Sequence, residues 1–248
     1  MRYLVLTDIH ANLEALDACL ADAHERQYDR TLVLGDIVGY GADPNTVVER
    51  VQALEPAAIV RGNHDKVACG LEQAEGFNIV ARSAALWTFE ALSQEHRAWL
   101  AGLPKGPIHV DDLIEICHGS PFDEDAYIFD ELDALRALRT SDRQLCLFGH
   151  THYPVTFTLS ANAIATVDIT GPSSSRQVPL RDGFKYLMNP GAVGQPRDGD
   201  PRASYAIVDT HRRHVELFRL AYPVGEAQAK VTKAGLPDVL AQRLGVGR

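Results

Sequence analysis

The sequence has no apolar run approaching the roughly 20 residues that a membrane-spanning helix requires, so a membrane protein is not expected. It has no C-x-x-C spacing. Cys19, Cys69, Cys117 and Cys146 stand far apart, which argues against a zinc knuckle or redox pair and reads as four reduced core residues. It also has no excess of basic charge: 24 Lys and Arg face 33 Asp and Glu, for a formal net charge of -9. Affinity for phosphate backbones comes largely from Lys and Arg displacing counterions, so a general nucleic-acid-binding surface is not expected. A small anionic substrate would need local positive charge, which bound metal ions could supply. There is no internal repeat and no long low-complexity segment. The start, Met1 to Leu6, is too short for a secretory signal and runs straight towards Asp8, so a soluble, cytoplasmic protein is the expectation.

What is present suits one domain. The 248 residues are 46% hydrophobic and 23% charged, ordinary for a globular chain long enough to bury a substantial core. One domain over 1–248 is expected, with a helical tail at about 224–244 interrupted at Gly235 and Pro237. The tail could cover the body, meet a second copy of the chain to form a homo-oligomer, or overhang a site.

The apolar, β-prone run from residue 2 to 7 stops at Asp8, as a buried strand delivering side chains at its carboxyl end would. Asn12 can cap a helix carrying Leu13, Leu16 and Leu20 on one face. A second strand, Thr31 to Leu34, ends at Gly35-Asp36, and a helix starts at Pro44. A third, Ala58 to Val60, leads into a glycine-led turn, Gly62-Asn63-His64-Asp65. Phe77 to Leu103 reads as two helices with Ile79, Val80, Leu86, Trp87 and Leu92 on the apolar stripe, the second starting at Ser93. A hairpin ends at His118, Pro121 to Asp130 forms a loop over the site, and a helix from about Asp130 to Leu138 precedes the strand Gln144 to Phe148. The remainder is mostly β: Val155 to Leu159, Ile164 to Ile169, Phe184 to Met188, Ser204 to Asp209 and Val215 to Leu220, with Gly171 to Ser175 as a loop. A βαβα half followed by a β-rich half predicts an α/β (α+β) fold, a four-layer αββα sandwich of two sheets between helices.

Successive strands thus finish in residues able to bind metal, at the carboxyl ends where α/β sheets place their sites. Asp8 and His10 lie two positions apart, as do His150 and His152; side-chain alternation along an extended chain would project each pair to one side. Carboxylate, imidazole and amide ligands together suit Mn²⁺, Fe or Zn²⁺ better than a thiolate site would.

The motifs D-x-H, G-D, G-N-H-D, H-G and G-H-x-H, in this order between residues 8 and 152, resemble the calcineurin-like metallophosphoesterase superfamily, close to its small bacterial and archaeal phosphodiesterases and diadenosine-tetraphosphatase-related proteins. Each motif is weak alone; five in order at strand ends are specific. The resemblance implies an αββα sandwich and two divalent ions, one on Asp8, His10 and His152, the other on Asn63, His118 and His150, with Asp36 bridging. It implies cleavage of a small phosphorylated substrate by a metal-bridging hydroxide, with His64 protonating the leaving alkoxide.

The sequence departs from that pattern after G-D, and also at Ala192, where serine is common in the N-P-G-S-V segment of the family. Gly39 and Tyr40 stand where phosphatases of the superfamily keep an aspartate that steers the catalytic histidine and an arginine that binds phosphate. A protein phosphatase is therefore the weaker reading. A replacement phosphate binder is sought in the stretch Asn189 to Arg202, which resembles the N-P-G-S-V and P-R segment of the small phosphodiesterases; Arg197 is the first choice there and Arg202 the second.

Plainer roles compete at several positions. Asp65 could be a cap as readily as a catalytic group and is left unassigned, and Asn12 is read as a cap or a neighbour of the phosphate. His24, His96, His109, His211 and His214 are read as surface or structural, and Trp87 and Trp99 as core. A metal-binding scaffold without turnover is the alternative function, and it would call for damaged catalytic positions.

Overall fold

The computed structural model describes residues 1–248 apart from Asn162, Ile169, Thr170, Pro172 and the Asp168 side chain. Two six-stranded mixed sheets are packed face to face between helices, as the sequence leads one to expect. The first sheet runs β3 (Ala58–Ile59), β2 (Arg30–Val33), β1 (Arg2–Leu6), β11 (Ala203–Asp209), β12 (His214–Leu220), β9 (Ser175–Pro179). The second runs β4 (Ile108–His109), β5 (Ile114–Ile116), β6 (Leu145–Leu147), β10 (Phe184–Asn189), β7 (Val155–Ser160), β8 (Ala163–Asp168). β1, β2 and β3 are parallel, and so are β5, β6 and β10. The carboxyl ends within each parallel set therefore open on one side.

Strand alternation divides the apolar residues among layers. Tyr3 and Val5 of β1 join Leu32, Ile114, Ile116, Leu145 and Leu147 in the core between the sheets. Leu4 and Leu6 face the other way, against Leu16 and Cys19 of α1 (Leu13–Arg26) and Val47 and Val51 of α2 (Pro44–Ala53). Across the second sheet, Cys146, Leu187 and Phe157 lie under Ala134, Ala137 and Leu138 of α6 (Glu131–Thr140). Each such buried aliphatic or aromatic side chain contributes on the order of 2 kcal/mol.

Helix starts follow the expected chemistry. The Asn12 side chain accepts from the Ala15 amide, Pro44 opens α2, and Asp130 caps α6. Three details differ from the sequence reading. The Gly62 run is not a free turn: Asn63 opens α3 (Asn63–Cys69), and Gly62 is its extended N-cap. In α4 (Ile79–Ala91), Ile79 and Leu86 are exposed, and the buried face is Ala81, Ala84, Ala85 and Thr88. Small side chains there let α4 lie close to its neighbours. Ser175, expected in a loop, begins strand β9, whose polar sequence gave no β signal but pairs with β12. The expected strand end at Ile169 and the loop residue Pro172 lie outside the described residues.

α5 (Gln94–Ala101) completes the helical pair, with Trp87 and Trp99 half-buried against the cores. The tail forms α7 (Val224–Lys233) and α8 (Asp238–Leu244), and its placement is specific. Ala227 and Leu244 join the layer that covers α1, while Val231, Leu236 and Leu240 pack on Tyr40, Ala81 and Ala84. Lys230 forms ion pairs with Glu14 and Asp43. The tail therefore both covers the sandwich and borders the loops beyond β1 and β2. Among the described residues, no helix is long and apolar enough to cross a membrane.

Candidate metal centre

Loops beyond β1, β2, β3, β5 and β6 bring Asp8, His10, Asp36, Asn63, His118, His150 and His152 together. Apart from half-buried Asn63, all of these residues are buried. Asp8, His10, Asp36 and His152 can each offer one ligand atom to a common point, as can Asp36, His118 and His150. Asp36 belongs to both groups. In the first, His10 Nε2 lies 3.1 Å from His152 Nε2 and 3.4 Å from Asp36 Oδ2, and His152 Nε2 lies 3.4 Å from Asp8 Oδ1. In the second, His118 Nε2 lies 3.1 Å from His150 Nδ1, 3.3 Å from Asn63 Oδ1 and 3.5 Å from Asp36 Oδ2.

The far nitrogen of each of these four histidines meets a backbone carbonyl. His10 Nδ1 faces Val38 O at 3.1 Å, His118 Nδ1 faces Leu34 O at 2.8 Å, His152 Nδ1 faces Gln195 O at 2.6 Å, and His150 Nε2 faces Asp125 O at 3.1 Å. A carbonyl only accepts, so those nitrogens carry the protons and the opposite nitrogens turn lone pairs inward, as metal-binding imidazoles do. Two pairs of inward lone pairs about 3 Å apart would repel each other unless a cation, or at least a proton, lay between them.

The backbone route to this arrangement is not the extended alternation that the sequence spacing suggests. Asp8, His10, Asp36, His150 and His152 have φ of 51°, 49°, 51°, 68° and 57°. None is glycine, and left-handed backbone at such residues is uncommon and gathers at functional sites. Tertiary hydrogen bonds hold it. His10 N donates to Asp36 O (2.9 Å), Asp8 N donates to Gly35 O (3.1 Å), and the Asp8 carboxylate accepts from His150 N and Thr7 Oγ1. Asn189 donates to Gly149 O (2.7 Å) and Thr151 Oγ1 (2.9 Å), clamping the loop that carries His150 and His152.

Asp36 is the centre of the arrangement. Its Oδ1 accepts from His64 N at 2.9 Å and so caps α3, whereas its buried Oδ2 has no hydrogen-bond partner. A buried carboxylate oxygen without a donor is costly, and the imidazoles flanking it offer lone pairs or a shared proton in place of a cation. Burial pushes the Asp36 carboxyl up, but His118, His64 and His10 outweigh it and hold it well below the usual range. Burial likewise disfavours charge on His118, yet Asp36 and Asp8 lift it to about 10. Positive charge is favoured at this point, and the orphaned oxygen together with the inward donor set fits a pair of divalent cations.

Asp65, open between a cap and a catalytic role in the sequence, has its carboxylate occupied by backbone amides. Its Oδ1 accepts from Ile37 N and Val38 N and its Oδ2 from Gly62 N, so one carboxylate ties the Asp36 loop to the start of α3. Gly62 is needed for room: a Cβ there would fall 2.1 Å from Asp36 Oδ1.

His64 is buried beside this cluster and its Nδ1 has no hydrogen-bond partner. Packing steers it. Its ring lies 4.3 Å from Tyr40, 4.6 Å from Phe77 and 4.9 Å from His10 between centroids. Gly39 answers the question of the missing aspartate, since a Cβ at that position would fall 2.6 Å from His64 Nδ1. The space an orienting side chain would occupy is filled by the imidazole, and burial lowers its pKa to about 4.

A cleft opens over Asn63 and His64 and is lined also by Tyr40, Phe77, Tyr127, Arg197 and Arg243. Arg197 reaches it, donating from Nη2 to Tyr40 OH at 3.3 Å. Arg202 does not line it; its guanidinium pairs with Asp200. Sequence reasoning did not single out three contributors. Tyr127 stacks on His150 at 3.8 Å; Lys66 binds Asp125, whose carbonyl fixes His150; Arg243 arrives from the tail. The aromatic pair Tyr127 and Phe129, in a loop already placed over the site, was the available signal for the first. Lys66 and Arg243 carried none.

Residues 1–213 match the family model of the calcineurin-like phosphoesterase superfamily domain. An uncharacterized protein of Methanocaldococcus jannaschii is 35% identical over 252 residues, covering 98% of this chain and 97% of its own. The crystal structure of a metallophosphoesterase from Sphaerobacter thermophilus is 41% identical, with a TM-score of 0.87 over 100% of this chain and 99% of that one. A hypothetical protein from Pyrococcus horikoshii shares the fold at 20% identity, with a TM-score of 0.80 over 100% and 98% of the two chains. With its motifs, sandwich and buried Asp/His clusters in agreement, the chain belongs to the calcineurin-like phosphoesterase superfamily.

Proposed function

We propose that this protein is a dinuclear-metal phosphohydrolase acting on a small phosphodiester, nucleotide or dinucleoside polyphosphate. The observation that carries the reading is Asp36 Oδ2, buried between the two clusters at 3.4 Å from His10 Nε2 and 3.5 Å from His118 Nε2, so that one carboxylate oxygen faces both donor sets. Asp8, His10 and His152 would hold one ion, Asn63, His118 and His150 the other, and Asp36 both. When bound, two such cations supply an acidified water and offset charge on the phosphoryl oxygens; Mn²⁺, Fe and Zn²⁺ all suit the donor set.

The chain's own groups do the rest. Arg197, in the cleft, binds phosphoryl oxygens and orients the ester. His64, next to Asn63 on the first turn of α3, donates a proton to the departing alkoxide, the anionic phosphoryl group beside it offsetting the burial that otherwise keeps the imidazole neutral. Its position is set by Tyr40 and Phe77, so the transfer depends on ring packing where a carboxylate would otherwise steer. Tyr127 covers His150 and limits water entry on that side. A scaffold without turnover would be expected to have lost one of the proposed ligands or His64, and the sequence retains each of these residues.

Hydrolysis of bis-p-nitrophenyl phosphate with added Mn²⁺ tests the reading. Wild type should turn over, and His64→Ala and Asp36→Asn should each lose most activity; equal rates in all three would sink the assignment.

A further inference from the structure

We infer that Arg243, on the C-terminal tail, joins Arg197 to form a seat for a second phosphoryl group of the substrate, one anhydride link away from the group that is cleaved. The inference rests on the proposed phosphohydrolase activity and narrows its substrate class to compounds with a phosphoanhydride.

The two guanidiniums share one wall of the cleft. Arg197 Cζ lies 5.9 Å and Arg243 Cζ 5.8 Å from the centroid of the Tyr40 ring, and both residues line the space above Asn63 and His64. Neither forms an ion pair with a carboxylate among the described residues, although the chain has 33 Asp and Glu. Arg197 Nε is buried with no hydrogen-bond partner. Arg243 Nε donates to Arg248 O at 2.6 Å, which leaves its terminal nitrogens for the cleft. Burial, and then the charge of Arg197, lower the Arg243 pKa. Two half-buried like charges held against one ring repel each other unless an anion lies between them.

The tail is fixed to present that side chain. Leu236 and Leu240 pack on Tyr40, Ala81 and Ala84. Gly199 N donates to Gly247 O and Gln195 Nε2 to Arg248 O, both at 2.9 Å. The same Gln195 accepts from His152 through its carbonyl, so the tail is anchored on the loop that positions a candidate ligand. A phosphoryl group at the clusters has its charge met by cations and Arg197. A second guanidinium alongside matches a second anionic group, and Arg favours the forked geometry of phosphate oxygens.

The test is calorimetric titration of the Mn²⁺-loaded protein, freed of excess metal, with methylenediphosphonate and with inorganic phosphate. Metal content is verified after each run. Wild type should prefer the diphosphonate by about tenfold or more. Arg243→Gln, which can still donate to Arg248 O but has no charge, should lose that preference, with phosphate affinity changing much less. Arg243→Lys should keep most of it. No preference in wild type, an unchanged preference in Arg243→Gln, or equal weakening of both anions in both variants would overturn the inference; the last result would make Arg243 only an anchor of the tail. Because the readout is binding, it stands apart from turnover. Failure to hydrolyse bis-p-nitrophenyl phosphate would count against the proposed function, and loss of anion discrimination alone against the role of Arg243.

Discussion

The floor of the site and the wall of the cleft above it are built on different principles. On the floor, each of the four histidines is locked by a backbone carbonyl from an adjoining loop: Val38, Leu34, Gln195 or Asp125. The wall is assembled from side chains of distant segments, Tyr40, Phe77, Tyr127, Arg197 and Arg243, which touch through rings and guanidiniums. Backbone carbonyls belong to every residue and so constrain sequence little, whereas the ligands they orient must be His, Asp or Asn. In the proposed function the floor holds the metal ions. In the proposed function the wall is the surface that meets the substrate.

Substitutions on the two surfaces should separate accordingly. The largest effect is expected for Asp36→Asn, which removes the charge shared by both clusters: phosphoesterase turnover should fall on the order of 10³-fold, and elemental analysis should show fewer than two ions per chain. His64→Ala should cost roughly 10²-fold in kcat with full metal content, which would place His64 functionally with the wall. Asp65→Ala should act on stability, because it strands three buried backbone N–H groups of Ile37, Val38 and Gly62. A loss on the order of 3 kcal/mol is expected, read as a lowered Tm and denaturation midpoint. The smallest effect should come from Tyr127→Ala, which removes the ring stacked on His150. Metal affinity should weaken by about fivefold, equivalent to roughly 1 kcal/mol. If Tyr127→Ala disturbed metal content as much as Asp36→Asn, the division between floor and wall would fail.

The same division explains what could be read from the sequence. Asp8, Asp36, Asn63, His118 and His150 each follow an apolar strand, so their place at carboxyl ends was legible from pattern alone. Arg197 was found because it lies in a distinctive N-P-G to P-R stretch. The left-handed backbone at Asp8, His10, Asp36, His150 and His152 was not legible, because hydrogen bonds between loops far apart in sequence impose it on residues with no local preference for it. α3 was missed for a related reason: its first turn is capped by Asp36 and Asp65, one of them 28 residues away in the chain. β9 is polar and is held by pairing with β12 rather than by its own propensity. Tail placement depends on the close approach that the alanines of α4 allow, so Arg243 had no signature in its own neighbourhood. Cys117 and Cys146 are buried and free, as expected, but the 3.9 Å between their sulfurs arises from neighbouring strands and not from sequence spacing.

The central claim is that one carboxylate, Asp36, joins two clusters into a single dinuclear centre. Electron paramagnetic resonance of the protein titrated with Mn²⁺ tests it most directly. The account predicts two ions per chain with an exchange-coupled signal that disappears in Asp36→Asn. One ion per chain, or two ions giving only isolated Mn²⁺ spectra in wild type, would contradict it.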